Sequence, residues 1–301
     1  MRTLLLLGGL LLVIAPAWGA AAGRGSTTLV REEVHLVPDA RLRPHLLLMT
    51  LGGPSYCVQL RNLARHVDAN RLCADYGPDR YLTPSERSGR EEDWGDPAYD
   101  AAVAKLPAAL ERSGVKVSAL VVLGVSYSGY ANAELVASQP ELHPAALIVV
   151  DTFLDLTARF DALPVYHETR AEIETVVGGT PEQVPQAYAA RSPSHHLDGL
   201  ATAIRNGMTF VDVWSVSARE KREFLGATCD QAANAQWLNE LAGRLGRPVT
   251  AYVTHLPHAY ALWDYGRGLL ALAGIGNAAP PRTARAFTFA PNGSPPAGSY
   301  C

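Results

Sequence analysis

Residues 115–137 read VKVSALVVLGVSYSGYANAELVA, an apolar run that passes through a Gly- and Ser-rich corner into an Ala-rich segment. Val115–Leu123 is short, continuous and bounded by glycines, the pattern of a strand buried on both faces. Ala131–Ser138 has the pattern of a helix. Between them stand Ser126 and Ser128. A chain that turns directly from a strand into a helix brings the two backbones close, so the residues two before and two after the apex must be small. Around Ser126 these are Gly124 and Ser128. Around Ser128 they are Ser126 and Tyr130, and a tyrosine does not fit. Ser126 is therefore the expected apex and nucleophile, and Ser128 the small residue that lets the turn form. The pattern Gly-Val-Ser-Tyr-Ser departs from Gly-x-Ser-x-Gly, with Gly129 following at once.

The alternation of strand and helix continues on both sides. Upstream, TLVREEVHLV and His45–Thr50 read as strands, Cys57–His66 as a helix, NRLCADYG as a strand, and YDAAVAKLPAALERSG as one helix closed by Gly114. Downstream, Ala145–Asp151 is a strand, 152–206 a polar helix-prone segment, and MTFVDVWS a further strand. ANAQWLNELAGRLG is a helix ended by Gly246, PVTAYVT a strand, and YALWDYGRGLLALAG the last helix. This order predicts an α/β fold with a mostly parallel central sheet flanked by helices. Such sheets carry their sites at the carboxyl ends of the strands, and 152–206 is expected to form a helical cap over that edge. The expected organisation is a leader over 1–22, one domain over 23–276 and a loose Pro-, Gly- and Ala-rich tail over 277–301.

Composition narrows the function classes. With 48% apolar and 18% charged residues in 301, the chain is that of an ordinary globular protein. A net charge of −3 gives no electrostatic reason to expect nucleic acid as a partner. Arg2, the apolar run Leu4–Ile14, Pro16 and the small residues GAAAG form a charged, then apolar, then cleavable series, which reads as a secretory signal. That run is short for a bilayer, so no membrane span is expected in the mature chain. Export implies oxidising conditions and paired cysteines. Of the possible connectivities we favour Cys57–Cys73, which closes a short local loop, with Cys229–Cys301, which ties down the tail. The adjacent His195 and His196 point in different directions and have no partner at ligand spacing, so they read as a surface pair, and neither a metal nor another cofactor is expected. Asn292-Gly-Ser matches a glycosylation acceptor, read as a chance match in a loose tail. Trp94, Trp214, Trp237 and Trp263 are expected in the core or cap.

At the turn around Ser126 the chain resembles the α/β-hydrolase family, and the resemblance covers nearly all of the mature sequence. LLLMTLGGPSY is similar to the strand and loop that supply one oxyanion donor, with Leu51 where His is common. LCADYGPDRY is similar to the strand and turn that follow the first helix, and RSPSHHLDGL to the stretch that leads from a cap into the next core strand. The resemblance implies a serine hydrolase in which an acid and then a histidine follow the nucleophile in chain order. Of nine histidines only His255 and His258 follow the last strand of that order; His258, past Pro257, is the expected base, and His255 a packing residue. For the acid, Asp230 directly precedes a helix where the family's acid loop ends, and Asp151, at the end of the preceding strand, is the rival. The backbone N–H groups of Tyr127 and Gly53 are the expected oxyanion hole. The implied substrate is a small-molecule ester or amide.

Overall fold

The computed structural model describes residues 30–52, 54–64, 67–76, 94–215, 230–254, 268–276, 285–291 and 293. In chain order the strands are β1 (Val30–His35), β2 (His45–Leu51), β3 (Ala69–Tyr76), β4 (Val117–Val125), β5 (Ala146–Val150), β6 (Thr209–Ser215), β7 (Val249–Thr254) and β8 (Arg285–Phe289). They form one sheet in the order β1-β3-β2-β4-β5-β6-β7-β8. The six strands from β3 to β7 in that order are parallel, and antiparallel β1 and β8 close the two edges. The protein therefore has the α/β architecture that the alternation of elements predicts.

Each central strand is an apolar run because both of its faces are covered. Leu47, Leu48, Met49, Val121, Val122 and Ile148 are fully buried. One face carries α4 (Tyr127–Ser138) and the other α1 (Pro54–Ala64). Tyr127 through Ala137 are buried without interruption, and the small residues Ser128, Gly129, Ala131, Ala133 and Ala137 among them let its neighbours pack close on every side. Its outer side is covered by α8 (Leu197–Arg205), whose Gly199 lies so close to the Ala137 carbonyl that a β-carbon there would overlap it.

The structure departs from the sequence expectations at several elements. The single helix expected over Tyr99–Gly114 is two, α2 (Pro97–Val103) and α3 (Leu106–Arg112). Pro107 lacks an N–H and disfavours helical geometry in the residue before it, so it belongs to a new first turn. Asp96 caps α2, its Oδ1 accepting from the N–H of Ala98 at 2.9 Å and of Tyr99 at 3.2 Å. Helix α4 starts at Tyr127, a turn earlier than Ala131, because the chain enters the helix straight from Ser126. The segment 152–206 contains α5 (Leu156–Ala162), α6 (Glu168–Val177), α7 (Pro185–Ala189), a 3-10 turn (Pro193–His196) and α8. The tail expected to be loose contains β8, which pairs with β7 from Val249↔Phe289 to Val253↔Arg285. Its alternation RAFTF carries the signal, masked by the Pro, Gly and Ala around it; Phe289 is fully buried against Trp214.

Cys57 on α1 and Cys73 on β3 form a disulfide with a Cα–Cα distance of 5.5 Å. Cys229 and Cys301 lie outside the described residues, as do the leader 1–22, Asn292 and Trp263. Among the described residues no helix is long and apolar enough to cross a membrane.

Candidate active site at the carboxyl edge of the sheet

Register places the ends of four strands side by side. Met49 of β2 pairs with Val122 of β4, Val125 of β4 with Val150 of β5, and Val150 with Val213 of β6. The residues that follow those ends are Gly52, Ser126 and Asp151, so the topology brings the base of the candidate oxyanion loop, the candidate nucleophile and one acid candidate to a common edge.

Ser126 is the apex of the turn. Its backbone, at φ 55° and ψ −126°, lies where side chains are disfavoured. Such strain persists only where the surroundings impose it. The Ser126 N–H donates to the Val150 carbonyl at 2.9 Å, and its own carbonyl accepts from the Tyr130 N–H at 3.1 Å and from Thr152 Oγ1 at 2.9 Å. Gly124 and Gly129 permit the close approach. A β-carbon on Gly124 would run into the Ser128 hydroxyl and sit 2.6 Å from Asn132 Nδ2. On Gly129 it would sit 3.0 Å from Thr152 Cβ.

The two serines have different surroundings. Ser126 is partly exposed, whereas Ser128 is fully buried and shares a 2.7 Å hydrogen bond with Thr50 Oγ1. The position normally held by glycine thus carries a hydroxyl with a partner of its own. The residue after the apex, Tyr127, is the first of α4, and the first N–H groups of a helix project from its end, where they favour negative charge. Its phenol oxygen accepts from the Trp94 N–H at 3.3 Å, and its ring meets the indole of Trp94 edge-on at 5.1 Å. Gly52, at φ 130°, donates to the Ala74 carbonyl at 3.1 Å and anchors the base of the candidate oxyanion loop on β3.

Asp151 directly follows β5, is 6% exposed and has φ 54°. Its N–H donates to the Val213 carbonyl at 2.6 Å. Asp230 opens α9 (Asp230–Leu245), on the far side of the 216–229 segment that follows β6. Its side chain lies outside the described residues, as do Gly53, His255 and His258. The structure thus assembles Ser126, Tyr127 and Asp151 and places the helix that Asp230 begins.

Sequence reasoning missed several residues that hold the turn. Thr152 ties the Ser126 carbonyl to the loop after β5. Buried Asn234, on α9, extends that tie: its Nδ2 donates to the Thr152 carbonyl at 2.8 Å, and its Oδ1 accepts from the Leu154 N–H at 3.0 Å. The helix that Asp230 begins and the turn at Ser126 are therefore joined through one loop. Asn132, in the Ala-rich ANAELVA, is the other omission, and a polar amide within a helix that is buried all round is itself the signal, because it must find partners.

His195 and His196 do not share a ligand. His195 Nε2 lies 3.7 Å from Asp155, and His196 Nδ1 lies 2.6 Å from Glu134 on α4. The Glu134 side chain is 1% exposed and that of His196 32%, so His196 is a half-buried partner of a buried carboxylate, while His195 is exposed; the two are not an equivalent surface pair. The hydrogen bond that His196 donates to Glu134 raises its pKa above the ordinary imidazole value.

The protein has the α/β-hydrolase fold. It superposes on a Mycobacterium tuberculosis puromycin-hydrolyzing peptidase with TM-score 0.56 at 15% identity, over 85% of this chain and 39% of that one. It is similar to the acylaminoacyl peptidase of Pyrococcus horikoshii with TM-score 0.53 at 13% identity, over 79% of this chain and 37% of that one. Carboxyl esterase 2 of Tuber melanosporum matches with TM-score 0.50 at 18% identity, over 81% and 83% of the two chains. The chain thus spans about two fifths of the length of the two peptidases and most of the length of the esterase. No protein-family model matches the chain, and no curated protein matches its sequence.

Proposed function

We propose that this protein is a secreted serine hydrolase that cleaves small carboxylic esters through an acyl-enzyme on Ser126. The observation that carries the reading is the strained backbone of Ser126 at the junction of β4 and α4, with its hydroxyl-bearing residue partly exposed at the carboxyl edge of the sheet. In this reading Ser126 Oγ attacks the ester carbonyl carbon while His258 accepts its proton. The carbonyl oxygen becomes an oxyanion facing the N–H groups of Tyr127 and Gly53. As the tetrahedral intermediate collapses, protonated His258 gives its proton to the departing alcohol. Water then attacks the acyl-enzyme by the same route and releases the acid. Asp230 orients the imidazole and stabilises its charged form, with Asp151 the alternative.

Esters are favoured because an alkoxide leaves with less help from a proton than an amine does. Amide or peptide cleavage is the second reading, supported by the fold shared with two peptidases, and a binding protein that keeps the scaffold is the third. Secretion draws support from the Cys57–Cys73 cystine, since such bonds persist in oxidising compartments. A fluorophosphonate probe tests the reading directly. The expected result is one adduct on Ser126 and hydrolysis of short-chain nitrophenyl esters, both lost in Ser126→Ala. An unlabelled Ser126 in folded protein would sink the enzyme reading.

A further inference from the structure

The parallel pairing of β2 with β4 runs from His45↔Val117 to Met49↔Val122 and ends there. Immediately beyond it the side-chain amide of Asn132 stands between the strands. Its Oδ1 accepts from the Leu51 N–H of β2 at 3.1 Å, and its Nδ2 donates to the Leu123 carbonyl of β4 at 2.9 Å. On the register of the preceding pairs, those two backbone groups would bond to each other as the next rung of the ladder. The Asn132 amide takes the place of that rung and sets the strands apart by its own width.

The rest of the cluster fixes the amide. Nδ2 also approaches Thr50 Oγ1 at 3.2 Å and Ser128 Oγ at 3.4 Å, and the two hydroxyls bond to each other at 2.7 Å. Asn132 and Ser128 are fully buried and Thr50 nearly so, and a buried polar group without a partner is costly, so the cluster has one low-energy arrangement. Gly124 is required beside it, since a β-carbon there would displace both Ser128 and Asn132.

The position of this wedge gives it a consequence for the site. Strand β2 continues into Gly52 and Gly53, and β4 continues into Ser126. The separation of the two strand ends therefore governs how far Gly52, where the loop leaves β2, stands from Ser126. We infer that Asn132, held by Thr50 and Ser128, is a positioning residue that sets the width of the oxyanion hole. The inference rests on the serine-hydrolase reading and adds a determinant of transition-state geometry that touches no substrate. It also accounts for a hydroxyl at Ser128 where a glycine would suffice for the turn.

The experiment compares Asn132→Leu, Thr50→Val and Thr50→Ser with the parental chain. Each is measured for kcat and KM on a short-chain nitrophenyl ester, for affinity to a boronic acid that forms a charged tetrahedral adduct, and for thermal unfolding. Misplacing a catalytic group by about 1 Å, or losing one oxyanion donor, costs on the order of 10²-fold. Asn132→Leu should therefore lower kcat and boronate affinity together by about that factor while KM changes little. Thr50→Val should lower kcat in the same way, and Thr50→Ser, which keeps the hydroxyl, should recover most of the loss. A folded Asn132→Leu with parental kcat and boronate affinity overturns the inference, as does a loss carried by KM. If Asn132→Leu does not fold, equal kcat in Thr50→Val and Thr50→Ser overturns it. Fluorophosphonate labelling of the parental chain separates the two readings: an unlabelled parent removes the hydrolase itself, whereas a labelled parent with indifferent variants removes only the positioning role.

Discussion

At the scale of single residues, the turn stores strain where chemistry is proposed. Ser126 holds φ 55°, which glycine adopts freely and alanine does not. Ser126→Gly and Ser126→Ala should both be inactive, yet the glycine variant should be the more stable by about 1 kcal/mol in urea unfolding. Equal stability would mean that the turn carries no strain. Gly124→Ala inserts a methyl group into the space of Ser128 and Asn132 and should destabilise by about 2 kcal/mol or more. The acid is decided by comparing Asp230→Asn with Asp151→Asn. Loss of the carboxylate behind the histidine lowers turnover on the order of 10⁴-fold, and the large loss is expected at Asp230. A large loss at Asp151 instead would assign the acid to the end of β5 and leave Asp230 as the first residue of α9.

At the scale of elements, α4 is held from both ends of its length. Ser126, the proposed nucleophile, immediately precedes its first turn, and two turns later Glu134 reaches His196 on the 3-10 turn that leads into α8. The His196 pKa is raised in the folded protein, chiefly by its hydrogen bond to Glu134. The stability contributed by this pair is therefore complete below the ordinary imidazole value of about 6.5 and is lost as pH rises through the raised value. Unfolding free energy measured across that window should decline in the parental chain and decline less in His196→Asn. Identical pH profiles would remove the pair as a pH-linked contact. The elements missed or misplaced in the sequence share one cause, a local composition that conceals the pattern. Prolines and glycines surround β8, serine and glycine open α4, and Pro107 sits inside an otherwise continuous helical period.

At the scale of the whole molecule, the Cys57–Cys73 cystine joins α1 to β3, across 16 residues of sequence. Closing a loop of that size stabilises by about 3 kcal/mol through the unfolded state. The double variant Cys57→Ser, Cys73→Ser should lose about that much in urea unfolding, with the loss appearing in the midpoint and not only in the slope. An unchanged midpoint would mean that the link contributes nothing to the global fold. The order of strands and helices, the buried character of β2 and β4–β6, and the place of Ser126 at the corner between β4 and α4 were legible in the sequence. Each follows from local rules: apolar runs where both faces are covered, and small residues where a strand turns directly into a helix. The sequence also carried the Cys57–Cys73 pairing, because a short loop limits the partners within reach. It did not carry the antiparallel edge strand β8, which has a fate only once β7 offers it an edge. Nor did it carry the contacts that hold the site. Thr50, Ser128 and Asn132 lie up to 82 residues apart, and Thr152 and Asn234 lie 82 apart. Hydrogen bonds between such residues depend on which strand ends the register brings together, and that is decided only when the whole sheet has formed.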